Sequence, residues 1–122
     1  MIGGKKILFV EDEVIINEML NRYFSLREEL KGAKIFFAKN VQQCLELLEN
    51  EKPTLMFLDL DLDDSSPPSG FKILKDYKDK LKIVIVTGYG ECKEQCLNSG
   101  AFMFLTKPIK REDYIKIIPD HL

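Results

Sequence analysis

Five short apolar runs that never alternate with polar residues constrain this chain most. They occupy residues 7–10, 35–38, 55–58, 83–86 and 103–105. A strand with one wet face alternates apolar and polar residues, because successive side chains point to opposite sides. Runs that are apolar throughout suit strands covered on both faces, as in parallel sheets flanked by helices. Between the runs the period changes to a helical one. Residues 13–30 place Ile16, Leu20, Tyr23 and Phe24 on one stripe, and residues 41–50 place Val41, Cys44, Leu45 and Leu48 on another. Asn40 stands where it can cap that second helix, with Gln43 reaching back in a capping-box spacing. Residues 70–79 read as a shorter helix with Phe71 and Leu74 as core contacts. Residues 91–99 end at Gly100, a helix-terminating residue, and residues 111–118 offer Tyr114, Ile115 and Ile118 before Pro119 stops or kinks the last helix.

Five strand–helix units with right-handed crossovers build a helix–sheet–helix sandwich. In such open sheets the site lies beyond the carboxyl ends of the strands, near a topological switch point. The strand-terminal residues therefore carry the most information. Glu11-Asp12-Glu13 closes the first run, Asp59 closes the third, Thr87 closes the fourth, and Lys107 sits just past the fifth. If these strands are parallel neighbours, the groups converge on one edge. Two unit charges about 4 Å apart repel by roughly 4 kcal/mol at an effective dielectric of 20. Glu11, Asp12 and Asp59 would meet that repulsion repeatedly, and a divalent cation removes it. Carboxylates, a backbone carbonyl and waters form an all-oxygen set that suits Mg²⁺, whose remaining positions can hold a phosphoryl group.

The 122 residues suit one domain, spanning 1–122 with residues 1–5 as a short soluble tail. A formal net charge of −2 gives no electrostatic reason to expect nucleic acid or an anionic membrane as the main partner. Three cysteines, Cys44, Cys92 and Cys96, with no apolar region of signal-peptide length after Lys5 and Lys6, argue for free thiols in a reducing, cytoplasmic setting. Cys92 and Cys96 lie four apart on a helical segment, but His121 is the lone histidine, so small apolar filling is the expected role of these thiols. No stretch is long enough to span a bilayer.

The set Val10-Glu11-Asp12-Glu13, Leu58-Asp59, Thr87-Gly88 and Lys107-Pro108, supported by Gly100-Ala101, resembles the receiver domain of bacterial response regulators. Each motif is weak alone; their order and spacing together are specific, and they cover nearly the whole chain. The resemblance implies a flavodoxin-like α/β fold, a (βα)5 three-layer sandwich with a five-stranded parallel sheet in the order 2-1-3-4-5. It implies Asp59 as phosphoacceptor, Asp12 as a direct Mg²⁺ ligand, Glu11 acting through a coordinated water, and the backbone carbonyl of Asp61 as a further ligand. Thr87 would hydrogen-bond the phosphoryl group, Lys107 would pair with it, and Phe104 occupies the aromatic switch position that follows Thr87. Asp61 and Tyr89 fall where side chains tune phosphoryl lifetime, and the family's cis bond would fall at Lys107-Pro108. The implied phosphoryl donor is a sensor histidine kinase or phosphotransfer protein. The implied readout is a changed surface of the fourth helix, fifth strand and fifth helix, presented to a downstream protein or output domain. Homodimers often form through that face in the family, and no residue here decides the matter.

Departures from the family pattern are local. Gly70 follows Asp59 at a longer interval than usual, and the usual Met-Pro turn is replaced by Asp63-Asp64-Ser65-Ser66-Pro67-Pro68-Ser69. Asp63 and Asp64 read as solvated loop charges, and the serines as turn residues. The 122 residues hold no DNA-binding or catalytic output region, so either the protein works by docking or the chain is a piece of a longer regulator. The resemblance implies a switch that acts only on itself. The enzymatic rival is a haloacid-dehalogenase-type phosphatase, whose Asp-x-Asp signature Asp59-Leu60-Asp61 approaches, though that signature belongs on the first strand of its core. A flavodoxin-type carrier would need a Ser/Thr-rich loop where Glu11-Asp12-Glu13 stands.

Overall fold

The structure, a computed structural model, describes residues 4–62 and 69–122, Ser69 by its backbone alone. Five strands, β1 (Lys6–Val10), β2 (Lys34–Ala38), β3 (Leu55–Asp59), β4 (Lys82–Thr87) and β5 (Met103–Thr106), form one sheet in the order β2-β1-β3-β4-β5. All pairings are parallel, with Val10 opposite both Ala38 and Leu58, Asp59 opposite Val86, and Thr87 opposite Thr106. Helices α1 (Val14–Ser25), α2 (Val41–Glu51), α3 (Ser69–Tyr77), α4 (Lys93–Asn98) and α5 (Arg111–Ile117) connect and cover the strands.

The unbroken apolar runs serve two cores, one on each face of the sheet. Leu8, Val10, Met56, Leu58, Ile83 and Ile85 face α2, α3 and α4, where they meet Cys44, Leu48, Ile73, Leu74 and Cys96. Ile7, Phe9, Leu55, Phe57, Val84 and Val86 face α1 and α5, where they meet Leu20, Phe24, Tyr114 and Ile115, and Ile118 just past the end of α5. The ring of Phe9 stacks on Phe57 at 4.8 Å between centroids, and Tyr114 stands edge-on to both. Central strands β1, β3 and β4 are buried nearly throughout, whereas β2 and β5, at the two sheet edges, are only half covered.

Several local expectations change. The first helix ends at Ser25 instead of running to residue 30. Arg27 is extended, which breaks the helical phase and lets a separate 3₁₀ turn, Glu28–Leu30, bring Leu30 into the core. Asn40 caps α2 as expected by accepting from the Gln43 N–H at 2.8 Å. Gln43 reaches back one residue further than a capping box requires, to the Lys39 N–H at 2.9 Å. Leu45 turns outward and Leu47 packs against the core instead. The segment 91–99 begins as a 3₁₀ turn, Gly90–Cys92, before α4. Pro119 ends α5, and a 3₁₀ turn, Ile118–His121, continues beyond it.

Residues 4 and 5 are not a free tail. The Gly4 N–H donates to the Gly32 carbonyl, and the Lys34 N–H to the Lys5 carbonyl at 2.9 Å, so the β1–β2 ladder starts before β1 itself. Lys6 pairs with Glu51 at 3.2 Å. Gly100 has φ +109, and a Cβ there would sit 2.5 Å from the Lys78 side chain, so glycine is needed on both counts. Of the expected polar loop at 63–70, residues 63–68, with Asp63 and Asp64, lie outside the described residues, as do residues 1–3, while Ser69, expected in a turn, and Gly70 open α3.

Candidate functional site

The parallel order puts the ends of β1, β3, β4 and β5 side by side, and Asp59 lies in the middle of them. Its carboxylate is 3 % exposed, so each oxygen needs a partner. One oxygen accepts from Lys107 Nζ at 2.8 Å, and the other accepts from the Asp61 N–H at 2.7 Å. Lys107 is aimed inward because its own N–H donates to the Thr87 carbonyl at 2.8 Å, extending the β4–β5 ladder by one residue. The Lys107–Pro108 bond is cis. Burial works against the Lys107 charge, but the Asp59 bond, with Glu11 and Asp61 nearby, outweighs it and raises the ammonium above its ordinary value.

On the neighbouring strand end, Glu11 is largely buried. Its carboxylate accepts from the Glu13 N–H at 3.1 Å, and its carbonyl accepts from Asn17 Nδ2 at 2.8 Å. Carboxylate oxygens of Glu11, Asp12 and Asp59 lie within 4.8 Å of one another. Burial first, and then the hydrogen bond with Asp12, push Glu11 up to about 8; the Glu13 N–H and Lys107 pull the other way without prevailing. A retained proton on one carboxyl is how crowded acids avoid mutual repulsion when nothing cationic lies between them. One ammonium does not balance three carboxylates, and hard oxygen donors on a buried edge fit a divalent cation such as Mg²⁺.

Thr87 is fully buried at the end of β4. Its hydroxyl donates to Asp61 Oδ1 at 2.5 Å and accepts from the Tyr89 N–H at 3.2 Å. The other Asp61 oxygen accepts from the Gly88 N–H at 2.9 Å and lies 3.5 Å from Lys107 Nζ. Thr87 therefore reaches the neighbourhood of Asp59 through Asp61 and the shared Lys107, not by a direct bond. The Asp61 side chain is not one of the three grouped carboxylates. Tyr89 is largely exposed beside Thr87, and Phe104, opposite Ile85, is half-buried against the core that faces α4.

Asn17, which holds the Glu11 backbone, was not among the residues the sequence singled out, and Gly88, which supplies an N–H to Asp61, was marked only as the neighbour of Thr87 in the Thr87-Gly88 motif. For Asn17 the available signal was a polar residue beside the apolar stripe of α1; the donor role of Gly88 is purely backbone, so its place in the Thr87-Gly88 motif did not reveal it. Cys44 and Cys96 are buried in the core, and burial pushes both thiols up to about 12.

Residues 7–119 match the response regulator receiver domain family. The chain is 27 % identical to sporulation initiation phosphotransferase F of Bacillus subtilis over 98 % of its length, covering 94 % of that protein. It is 32 % identical to the sensory transduction protein LytT of the same species over 88 % of its length, but covers only 44 % of that protein. Among solved structures, a response regulator protein from Burkholderia pseudomallei, crystallised with a phosphorylated aspartic acid, a calcium ion and citrate, superposes with a TM-score of 0.74 and 26 % identity, over 91 % of this chain and 64 % of that one. No helix among the described residues is long and apolar enough to cross a membrane. Fold, strand order and family match favour the receiver over the dehalogenase-type reading: this chain belongs to the response regulator receiver domain family.

Proposed function

We propose that this chain is a single-domain, phosphorylation-dependent signalling switch of the cytoplasm, with Asp59 as its phosphoacceptor. The observation that carries the reading is the Asp59 carboxylate, buried, 2.8 Å from Lys107 Nζ and grouped with Glu11 and Asp12. Glu11, Asp12, Asp59 and the backbone carbonyl of Asp61 are the groups that would hold Mg²⁺, which when bound neutralises the crowded oxygens and the incoming phosphoryl charge.

An Asp59 oxygen forms the new bond to phosphorus. The bond from phosphorus to the donor's leaving atom breaks, and that group departs with the electron pair. The leaving atom is an imidazole nitrogen in a histidine kinase or phosphotransfer protein, and a carboxylate oxygen in acetyl phosphate. Lys107 holds Asp59 in place beforehand and pairs with the phosphoryl oxygens afterwards. Thr87 then donates to a phosphoryl oxygen, and Phe104 moves into the space behind it. The surface of α4, β5 and α5 changes and is read by a downstream protein or output domain. Asp61 and Tyr89, which flank the hydroxyl of Thr87, tune how long the acyl phosphate lasts.

Acetyl phosphate supplied with Mg²⁺, followed by intact mass, tests this. One added phosphoryl group is expected, lost with chelator and in Asp59→Asn. Equal labelling of Asp59→Asn would refute the assignment, and repeated phosphate release from an ester would favour the phosphatase.

A further inference from the structure

Three donors of different kinds converge beside Asp59: the Thr87 hydroxyl, the Gly88 N–H and the Lys107 ammonium. A hydroxyl on a freely rotating bond, a fixed backbone amide and a cation make a receptacle for one anion with several oxygens. In this chain the receptacle is filled. Asp61 Oδ1 takes the Thr87 hydroxyl at 2.5 Å, and Oδ2 takes the Gly88 N–H at 2.9 Å with Lys107 Nζ at 3.5 Å. Lys107 is shared, since it lies 2.8 Å from Asp59 Oδ2 as well. A phosphoryl group attached to Asp59 would carry its oxygens toward this same ammonium, and so into competition with Asp61.

We propose that the Asp61 carboxylate is an internal stand-in for the phosphoryl group, holding Thr87, Gly88 and Lys107 until phosphorylation of Asp59 displaces it. The inference rests on Asp59 being the phosphoacceptor. It assigns Asp61 a positioning role in addition to its effect on how long the acyl phosphate lasts. Two consequences follow. First, an anion must leave before another can take its donors, so phosphoryl analogues bind less tightly than the site's charge alone would allow. The Asp61 side chain is 23 % exposed, which leaves it a path outward. Second, Thr87 already donates inward and Phe104 is already half-buried, so the unphosphorylated chain stands part-way along the switch. Phosphorylation exchanges one anion for another and moves α4, β5 and α5 less than it would without Asp61.

The test compares the intact chain with Asp61→Ala and Asp61→Asn, the second keeping the side-chain volume. The probes are beryllofluoride with Mg²⁺, and labelling by acetyl phosphate. Both variants should bind beryllofluoride tighter by on the order of tenfold, as when a competing charge-assisted hydrogen bond is removed. In the free protein, the Gly88 amide proton resonance should move upfield in Asp61→Ala. Beryllofluoride should return it, while moving it little in the intact chain. Either a Gly88 amide unmoved by Asp61→Ala, or affinities within about twofold of the intact chain, overturns the stand-in role while leaving Asp59 as acceptor. If neither the intact chain nor the variants are labelled or bind beryllofluoride, the receiver reading itself fails and takes this inference with it.

Discussion

At Glu11, burial and the bond to Asp12 keep a proton on the carboxyl up to about pH 8 while no cation is bound. The unfolded chain would release that proton near the ordinary value of 4.5. A folded-state value above the unfolded one means that this stabilisation is fully present below 4.5 and is lost as pH rises through about 8. Urea unfolding in chelator should therefore show lower stability at about pH 8.5 than at about pH 5.5, and Glu11→Gln should flatten that difference. Cation binding needs the carboxylate, so added Mg²⁺ should restore stability most at the alkaline end and release protons as it binds. A pH slope identical in Glu11→Gln would assign the effect to other groups.

Among the elements, α2 shows most directly how a local signal becomes structure. Its first turn is closed by Asn40, whose side chain satisfies the Gln43 N–H at 2.8 Å, while Cys44 and Leu48 carry its apolar stripe into the core. Asn40→Ala removes the cap and should cost about 1 kcal/mol, lowering the melting temperature by about 4 °C in a domain of this size. Thermal unfolding checks it, and Asn40→Asp should recover most of the loss. The helix packs beside β1 and β2, away from Lys107, so beryllofluoride binding should be unchanged in the same variant at low temperature. The wrong expectations at this scale had a common source. Periodicity marks which residues are apolar, but the phase in which a helix docks decides that Leu47, and not Leu45, packs against the core. The same limit hid the extended Arg27, which resets the phase after α1.

At the level of the molecule, one sheet with a core on each face supports the site from behind. Phe57 links the two scales, because it lies two residues before Asp59 on β3 with its ring stacked on Phe9 and met edge-on by Tyr114. It is 2 % exposed, so Phe57→Ala should cost about 3–5 kcal/mol, seen as a lower urea midpoint with an unchanged slope. Much of the architecture was legible beforehand: unbroken apolar runs mean strands covered twice, and helical stretches between them mean parallel crossovers. The half-covered edges β2 and β5 were less so, since Ile35, Phe36 and Phe37 read as fully buried in the chain but lie at the rim of the sheet.

The sequence by itself determined which residues stand at strand ends: Glu11, Asp12, Asp59, Thr87 and Lys107. It could do so because a strand's end is marked locally, where an apolar run gives way to a charge or a hydroxyl. Only the tertiary structure decided which of these groups touch. The sheet order brings β1, β3, β4 and β5 together, and the backbone turns after β3 and β4 send the Asp61 carboxylate to Thr87 and Gly88 while Lys107 turns to Asp59. Those bonds span tens of residues and depend on side-chain and amide directions of a few ångströms, which no pattern of residue types along one chain encodes.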